Sequence, residues 1–366
     1  MRVLTLNAGS TSLKCALLAV EDSTATPRTE ASAEASGLGS SHASAFLENA
    51  DGSRRALPLE GSRPAEVLPG FLRELHKHLP TPEALAHRIV HGGDRREPAR
   101  VDADLLTELE ALEPLAPLHQ PAGIAGIEAS RAVFPDLPQT ACFDTAFFAD
   151  LPEEERVLPL PVACRRQGVR RYGFHGLAYT DVVHQLGEDL GQRTLLAHLG
   201  GGCSLAALRE GRPIATTMGL TPDGGLPMAT RSGDLDPGVL FYLLREGRST
   251  DELEDLLSRH SGLAGLSGLS GDMRELEEAA DAGAEDARLA RAVFSRRLQA
   301  QAGAYAALLG GVDTVAFSGG IGEHDAKVRA TALAGLAALG IRPDTRVIAV
   351  REDHVLARAA FSQATS

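Results

Sequence analysis

Val3-Leu4-Thr5-Leu6, then Asn7-Ala8-Gly9-Ser10-Thr11-Ser12, then Leu13-Lys14-Cys15-Ala16-Leu17-Leu18 open the chain: an apolar run, a small polar turn and a second apolar run. Two short apolar runs on either side of a Gly/Ser tip read as a β-hairpin. The pattern returns about half a chain later as Thr194-Leu195-Leu196-Ala197-His198-Leu199, Gly200-Gly201-Gly202 and Cys203-Ser204-Leu205-Ala206-Ala207-Leu208. Its recurrence suggests two related halves.

Working outward, residues 21–65 are rich in Ser, Ala, Gly and Glu and are expected to form irregular strands and surface loops. Residues 105–112 read as a helix, Pro121 suits the first turn of a second helix through Ala132, and residues 139–143 read as a strand ending at Asp144. Ser249-Thr250-Asp251-Glu252 is a capping-box pattern that opens a helix to Arg259. A long helix is expected over residues 284–309, its apolar stripe running through Leu289, Val293, Leu298, Ala302, Tyr305 and Leu309, with Gly310-Gly311 as its stop. Strands alternating with helices imply α/β layers. At 366 residues the chain exceeds what one core usually serves, so two domains with a cleft are expected.

The formal charge of −13 argues against a nucleic-acid or anionic-membrane partner, and an anionic ligand would need a few local cations to hold it. Cys15, Cys142, Cys164 and Cys203 are scattered without zinc spacing, which fits buried thiols in a reducing compartment. The apolar run at residues 3–6 is broken at Asn7 and is too short for a secretory signal, and no segment is long enough to span a membrane, so a cytoplasmic protein is expected.

Three Gly/Ser-rich turns follow apolar runs: residues 7–12, residues 200–202, and Ser318-Gly319-Gly320-Ile321-Gly322-Glu323. Such turns present backbone N–H groups without Cβ interference, so phosphates can approach closely. Three of them in so anionic a chain point to nucleotide binding. None has Walker or G-x-G-x-x-G spacing, so neither a P-loop nor a Rossmann site is supported.

A series of segments carries a family resemblance. They are Leu6-Asn7-Ala8-Gly9-Ser10-Thr11-Ser12-Leu13-Lys14, His87-Arg88-Ile89-Val90-His91-Gly92-Gly93, Leu115-Ala116-Pro117-Leu118-His119, Phe143-Asp144-Thr145-Ala146-Phe147 and Arg171-Tyr172-Gly173-Phe174-His175-Gly176. After them come His198-Leu199-Gly200, Thr230-Arg231-Ser232-Gly233-Asp234-Leu235-Asp236-Pro237-Gly238, Ser267-Gly268-Leu269-Ser270-Gly271-Asp272-Met273-Arg274 and Gly319-Gly320-Ile321-Gly322-Glu323. In composition and order the chain resembles the acetate kinase family, of the actin, Hsp70 and hexokinase superfamily. The resemblance implies an α/β chain of two actin-like (ribonuclease H-like) domains with duplicated βββαβαβα cores. Residues 1–147 with a returning helix at 353–366 would form one domain, and residues 148–352 the other, nucleotide-binding one. It also implies Mg²⁺-dependent transfer of phosphoryl from ATP to acetate, giving acetyl phosphate and ADP, with Mn²⁺ as a substitute metal and a homodimeric assembly.

Carried over residue by residue, the resemblance makes Arg88, Asp144, His175 and Arg231 catalytic. A carboxylate attacking phosphorus sets anion against anion, so positive charge is needed more than a base, and arginine can hold both groups with its planar fork. His175 would donate to an equatorial phosphoryl oxygen. Asp144 would position Mg²⁺ or its waters, with Asn7 and Glu352 at the family's metal-associated positions. Lys14, His198, Leu199, Gly200, Gly201, Gly202, Asp272, Met273, Arg274, Gly320, Ile321, Gly322, Glu323 and His324 match the nucleotide site. Arg88 with Val90, Leu118, Phe174 and Pro222 matches the site of the acid, the last four around its alkyl group.

The chain also departs from the family pattern. Gly201 stands where Asn is usual, Gln120 where Asn is usual, Phe148 for His, Leu177-Ala178-Tyr179 for Thr-Ser-His, and His324 for Asn. The stretch around residues 340–347 joins directly two segments that the family separates. Propionate or butyrate kinase is the nearest rival, because one methylene changes binding by only about 1–3 kcal/mol. A non-catalytic actin-like nucleotide-binding regulator is the rival from another class.

Overall fold

The computed structural model describes residues 1–9, 12–38, 40, 42–61 and 64–365. Ser10 and Thr11, in the first predicted glycine turn, lie outside the described residues. The chain divides into two compact units. One comprises residues 1–149, 175–181 and 351–366; the other comprises 150–174 and 182–350. The division expected from sequence put residues 175–181 with the second half, whereas in the structure they belong to the first unit.

The first unit is built on an eight-stranded sheet. Its strands are β1 (Arg2–Ala8), β2 (Leu13–Ala19), β3 (Arg28–Ser36), β4 (Ser44–Asn49), β5 (Arg54–Ala56), β6 (Ala84–Ile89), β7 (Ala99–Arg100) and β8 (Gln139–Phe143), in the order β5-β4-β3-β2-β1-β6-β8-β7. The opening hairpin forms as expected, with Asn7 opposite Lys14. Alternation sorts its side chains by face: Leu4, Leu6, Leu13, Cys15 and Leu17 pack under the helices Pro64–His78 and Gln120–Val133. Val3, Ala16 and Leu18 pack on the other face against Val355, Leu356 and Ala360 of the helix Glu352–Thr365.

The region read as irregular is more ordered than expected. In β3 and β4 the buried positions are Ala31, Ala33, Ala35, Ala45 and Leu47, alternating with polar residues in β3 and with Ser44, Phe46 and Glu48 in β4. Alanine gives too weak an apolar signal for this period to stand out in sequence.

The second unit has a five-stranded sheet of β9 (Arg193–Leu199), β10 (Cys203–Arg209), β11 (Arg212–Thr216), β12 (Thr314–Ser318) and β13 (Asp344–Val347), in the order β11-β10-β9-β12-β13. In both sheets the first strand pairs antiparallel with the second and parallel with a later one (β1 with β2 and β6, β9 with β10 and β12). Setting aside β4, β5 and β7, each sheet has the order 3-2-1-4-5, so the expected duplicated core is present.

The long helix runs over Glu285–Leu309 and stops at Gly310, whose φ of 73° is left-handed. Its buried stripe is Ala287, Ala290, Phe294, Leu298, Ala302, Tyr305 and Leu309. Leu289 is 53% exposed and Val293 only partly covered, so the predicted stripe was one residue off in its first turns. The capping box at Ser249 and Glu252 is present in both directions. Cys15, Cys142 and Cys203 are buried, and burial pushes each thiol up to about 12, whereas Cys164 is partly exposed, against expectation. Among the described residues no helix is long and apolar enough to cross a membrane.

Candidate active site

In the first unit, three neighbouring strands and one helix end bring polar side chains together. Arg88 is the penultimate residue of β6, and Asp144 follows directly after β8, where its N–H bonds the Ile89 carbonyl at 3.0 Å. Asn7 lies on β1, the other neighbour of β6, and Glu352 begins the final helix. Arg88 Nη2 and Nε donate to Asp144 Oδ2 at 2.7 and 3.1 Å, and Nη1 donates to Asn7 Oδ1 at 3.2 Å. Asn7 Nδ2 donates to Glu352 Oε2 at 3.2 Å, and that oxygen is 3.6 Å from Arg88 Nε. The sequence therefore named four residues that the fold assembles into one cluster.

The cluster's charges are unbalanced, since two carboxylates share one guanidinium. Burial pushes the Asp144 carboxyl above its ordinary range, with Glu352 adding to the rise and Arg88 opposing it. Burial alone would lower the Arg88 value, but Asp144 and Glu352 outweigh it and hold the guanidinium charged. The excess negative charge and hard oxygens of these side chains would suit a divalent cation. No group of three His, Cys, Asp or Glu side chains that could hold a metal ion occurs among the described residues.

His175, at φ 62°, is one of two non-glycine residues in the left-handed region among those described. A Cβ on the following Gly176 would lie 2.0 Å from the Asp144 carbonyl oxygen, so only glycine permits this approach. The departure Gln120 is buried, accepts from the His91 N–H and donates to the His91 and Leu109 carbonyls, fixing the segment after β6. Asp181 accepts the Arg351 N–H at 2.7 Å and steadies the start of the Glu352 helix. Neither role was legible, because each depends on a partner distant in sequence. Lys14, on β2, is exposed and pairs with Glu34 at 3.8 Å. Val90 is buried and Leu118 partly so.

In the second unit, Arg231 donates to the Pro222 carbonyl at 3.2 Å and pairs with Asp223 at 3.3 Å. Gly262, at φ 60°, allows the Arg231 backbone to pack, since a Cβ would lie 2.6 Å from the Arg231 carbonyl oxygen. Asp223 had no motif to reveal it. Phe174 and Pro222 are buried in this unit.

The same unit contains a cavity of about 830 Å³ lined by Gly200, Gly201, Gly271, Asp272, Met273, Arg274, Gly320, Ile321 and His324, together with Ala229, Glu277, Asp325, Ala326 and Lys327. That volume suits a nucleotide-sized ligand. Two of the glycine turns thus meet, although the third predicted turn is the short helix Gly319–His324. Gly319 has φ 75°, and a Cβ there would lie 2.6 Å from the Leu199 carbonyl oxygen. The helices Met273–Asp281 and Ala326–Ala338 start at the cavity, capped by Asp272 and Asp325. His198 contacts Ser318 at 3.1 Å across adjacent strands, and it, Leu199, Gly202, Gly322 and Glu323 are not among the residues that line the cavity. Glu277, unpredicted, pairs with Arg291 at 2.8 Å and with Lys327.

The sequence model of the acetokinase family matches residues 2–362. An acetate kinase of Streptomyces avermitilis is 44% identical over 365 residues, covering 96% of this chain and 89% of its own. Among solved structures, the Porphyromonas gingivalis acetate kinase superposes with a TM-score of 0.86 and a Francisella tularensis propionate kinase with 0.91, each 32% identical and covering 99% of both chains. Sequence along the whole length and fold agree: the chain belongs to the acetokinase family.

Proposed function

We propose that this protein transfers the γ-phosphoryl group of ATP to acetate, reversibly, forming acetyl phosphate and ADP. The observation that carries the proposal is the Arg88 guanidinium, held charged by buried Asp144 beside Asn7 and Glu352. An ionised acid needs no base, and a fixed cation lowers the repulsion between its carboxylate and the phosphoryl oxygens. Arg88 would orient the acid, and Arg231, anchored by the Pro222 carbonyl and Asp223, would neutralise charge on the moving phosphoryl. His175 would donate to the same group, its ring aimed by the left-handed backbone. Asn7, Asp144 and Glu352 would hold Mg²⁺ or its waters, with Mn²⁺ as a substitute; when bound, the metal shields the phosphate charge. The glycine-lined cavity would hold ATP or ADP, with Lys14 as a further nucleotide contact, and Val90, Leu118, Phe174 and Pro222 would surround the acid's methyl group.

Trapping acyl phosphate with hydroxylamine in the presence of acetate, propionate and butyrate tests the proposal: acetate should give the highest kcat/KM. Hydroxamate highest with propionate would favour the reading suggested by the propionate kinase likeness. ATP binding without any hydroxamate would sink both.

We also propose a homodimer in the cytoplasm. The helix Pro237–Arg245 buries no side chain and, with Leu235 just before it, exposes Leu235, Val239, Phe241, Tyr242 and Leu244, an apolar patch suited to a second copy. A monomer mass by light scattering at micromolar concentration would overturn the dimer, and recovery in the membrane fraction would overturn the location.

A further inference from the structure

A second cavity, of about 440 Å³, lies in the first unit at the end of the sheet away from Arg88 and Asp144. Its lining includes Ala84, the first residue of β6, and Gln139 and Thr140, the first residues of β8. Ala360, Gln363 and Ala364 come from the far part of the helix that Glu352 begins. Two arginines face it: Arg100, paired with Thr140 across the β7–β8 register, and Arg131, in the last turn of the helix Gln120–Val133. Among the described residues neither guanidinium takes part in an ion pair, in a chain whose net charge is −13. Asp136 is the single acid in the lining, so the wall carries two positive charges and one negative, a net of +1. Val101, Pro135, Leu137 and Pro138 supply apolar surface.

We propose that this cavity is a regulatory binding site for a small organic anion, a carboxylate or phosphate monoester with a short carbon body. The arginines take the charged end and the proline-rich wall takes the body. Occupancy would be felt at the cluster because the cavity touches three elements whose other ends carry Arg88, Asp144 and Glu352. Gln139 also bonds buried His87, the neighbour of Arg88, at 2.8 Å.

Calorimetric titration of the whole protein with succinate and with 3-phosphoglycerate tests the proposal and separates the two head groups. At least one should bind. R100Q/R131Q, both at exposed positions, should weaken that binding tenfold or more, D136N should tighten it, and A364W, which fills the cavity mouth and keeps the arginines, should abolish it. The bound anion should change kcat or the KM for MgATP at least twofold in wild type and not in R100Q/R131Q. Absence of binding by both anions, binding that survives A364W, or binding with no kinetic effect would each overturn the proposal. The calorimetric arms stand even if the phosphoryl acceptor proves not to be acetate.

Discussion

Arg88 Nη2 sits 2.7 Å from Asp144 Oδ2, and the two side chains are unequally placed: that of Asp144 is 1% exposed and that of Arg88 21%. The buried partner depends on the accessible one. Arg88→Ala should therefore fail in two ways, losing about 10³-fold in kcat and about 3 kcal/mol or more of stability, because it strands a buried carboxylate. Arg231→Ala should lose a similar factor in kcat with a smaller stability change, since Asp223 is 34% exposed and also accepts from Ser258. Hydroxamate assays paired with urea melts check this, and variants keeping more than a tenth of wild-type turnover would refute the assigned roles.

His175 separates function from folding. At φ 62° the backbone carries a cost that Asn bears better than most residues, so His175→Asn should melt no lower than wild type. Its kcat should fall by about 10²-fold or more, as when a transition-state donor is lost. A clear drop in Tm with kcat intact would mean that the ring is structural.

Burial lowers the His87 pKa to about 4 from its ordinary 6.5, with the Gln139 hydrogen bond opposing the shift. The unfolded chain then binds the proton first, so stability is highest above pH 6.5, declines as pH falls toward 4 and levels off below. The loss should be about 3 kcal/mol. In urea melts the stability lost between pH 7 and pH 4 should be greater for wild type than for His87→Gln by about that amount, and parallel profiles would contradict it.

Gly201 is outside the positive-φ region, and a Cβ there meets nothing within 4 Å. Gly201→Asn should be free of strain and, by adding an amide at the cavity, should lower the KM for MgATP while that for acetate stays level. Charge-assisted hydrogen bonds contribute about 1.5–3 kcal/mol, so the drop should reach tenfold or more. An unchanged KM at unchanged Tm would show that another group already fills the role.

What sequence revealed depended on how locally each feature was encoded. The hairpins, the Ser249 capping box and the Gly310 stop are written in neighbouring residues and were legible. The Arg88, Asp144, Asn7 and Glu352 cluster was reached through motif resemblance, and only the sheet order together with the final helix brings these distant residues together. Asp181, Asp223 and Gln120 escaped because a carboxylate or amide holding a remote backbone group leaves no pattern in its own neighbourhood. The regularity of the alanine-lined β3 and β4, in a region expected to hold irregular strands, escaped for the opposite reason, a regular pattern written in residues of low contrast.

The helix Glu352–Thr365 closes the face of the sheet formed by Val3, Leu18 and Ala86, and it delivers Glu352. During synthesis the first strands leave the ribosome hundreds of residues before that cover exists. A nascent chain must therefore carry a bare apolar sheet face through most of its translation, a natural target for a holding chaperone. On the role proposed for Glu352, activity would follow only once this helix has docked, so a product truncated before residue 352 should be both inactive and sticky, and thus readily cleared.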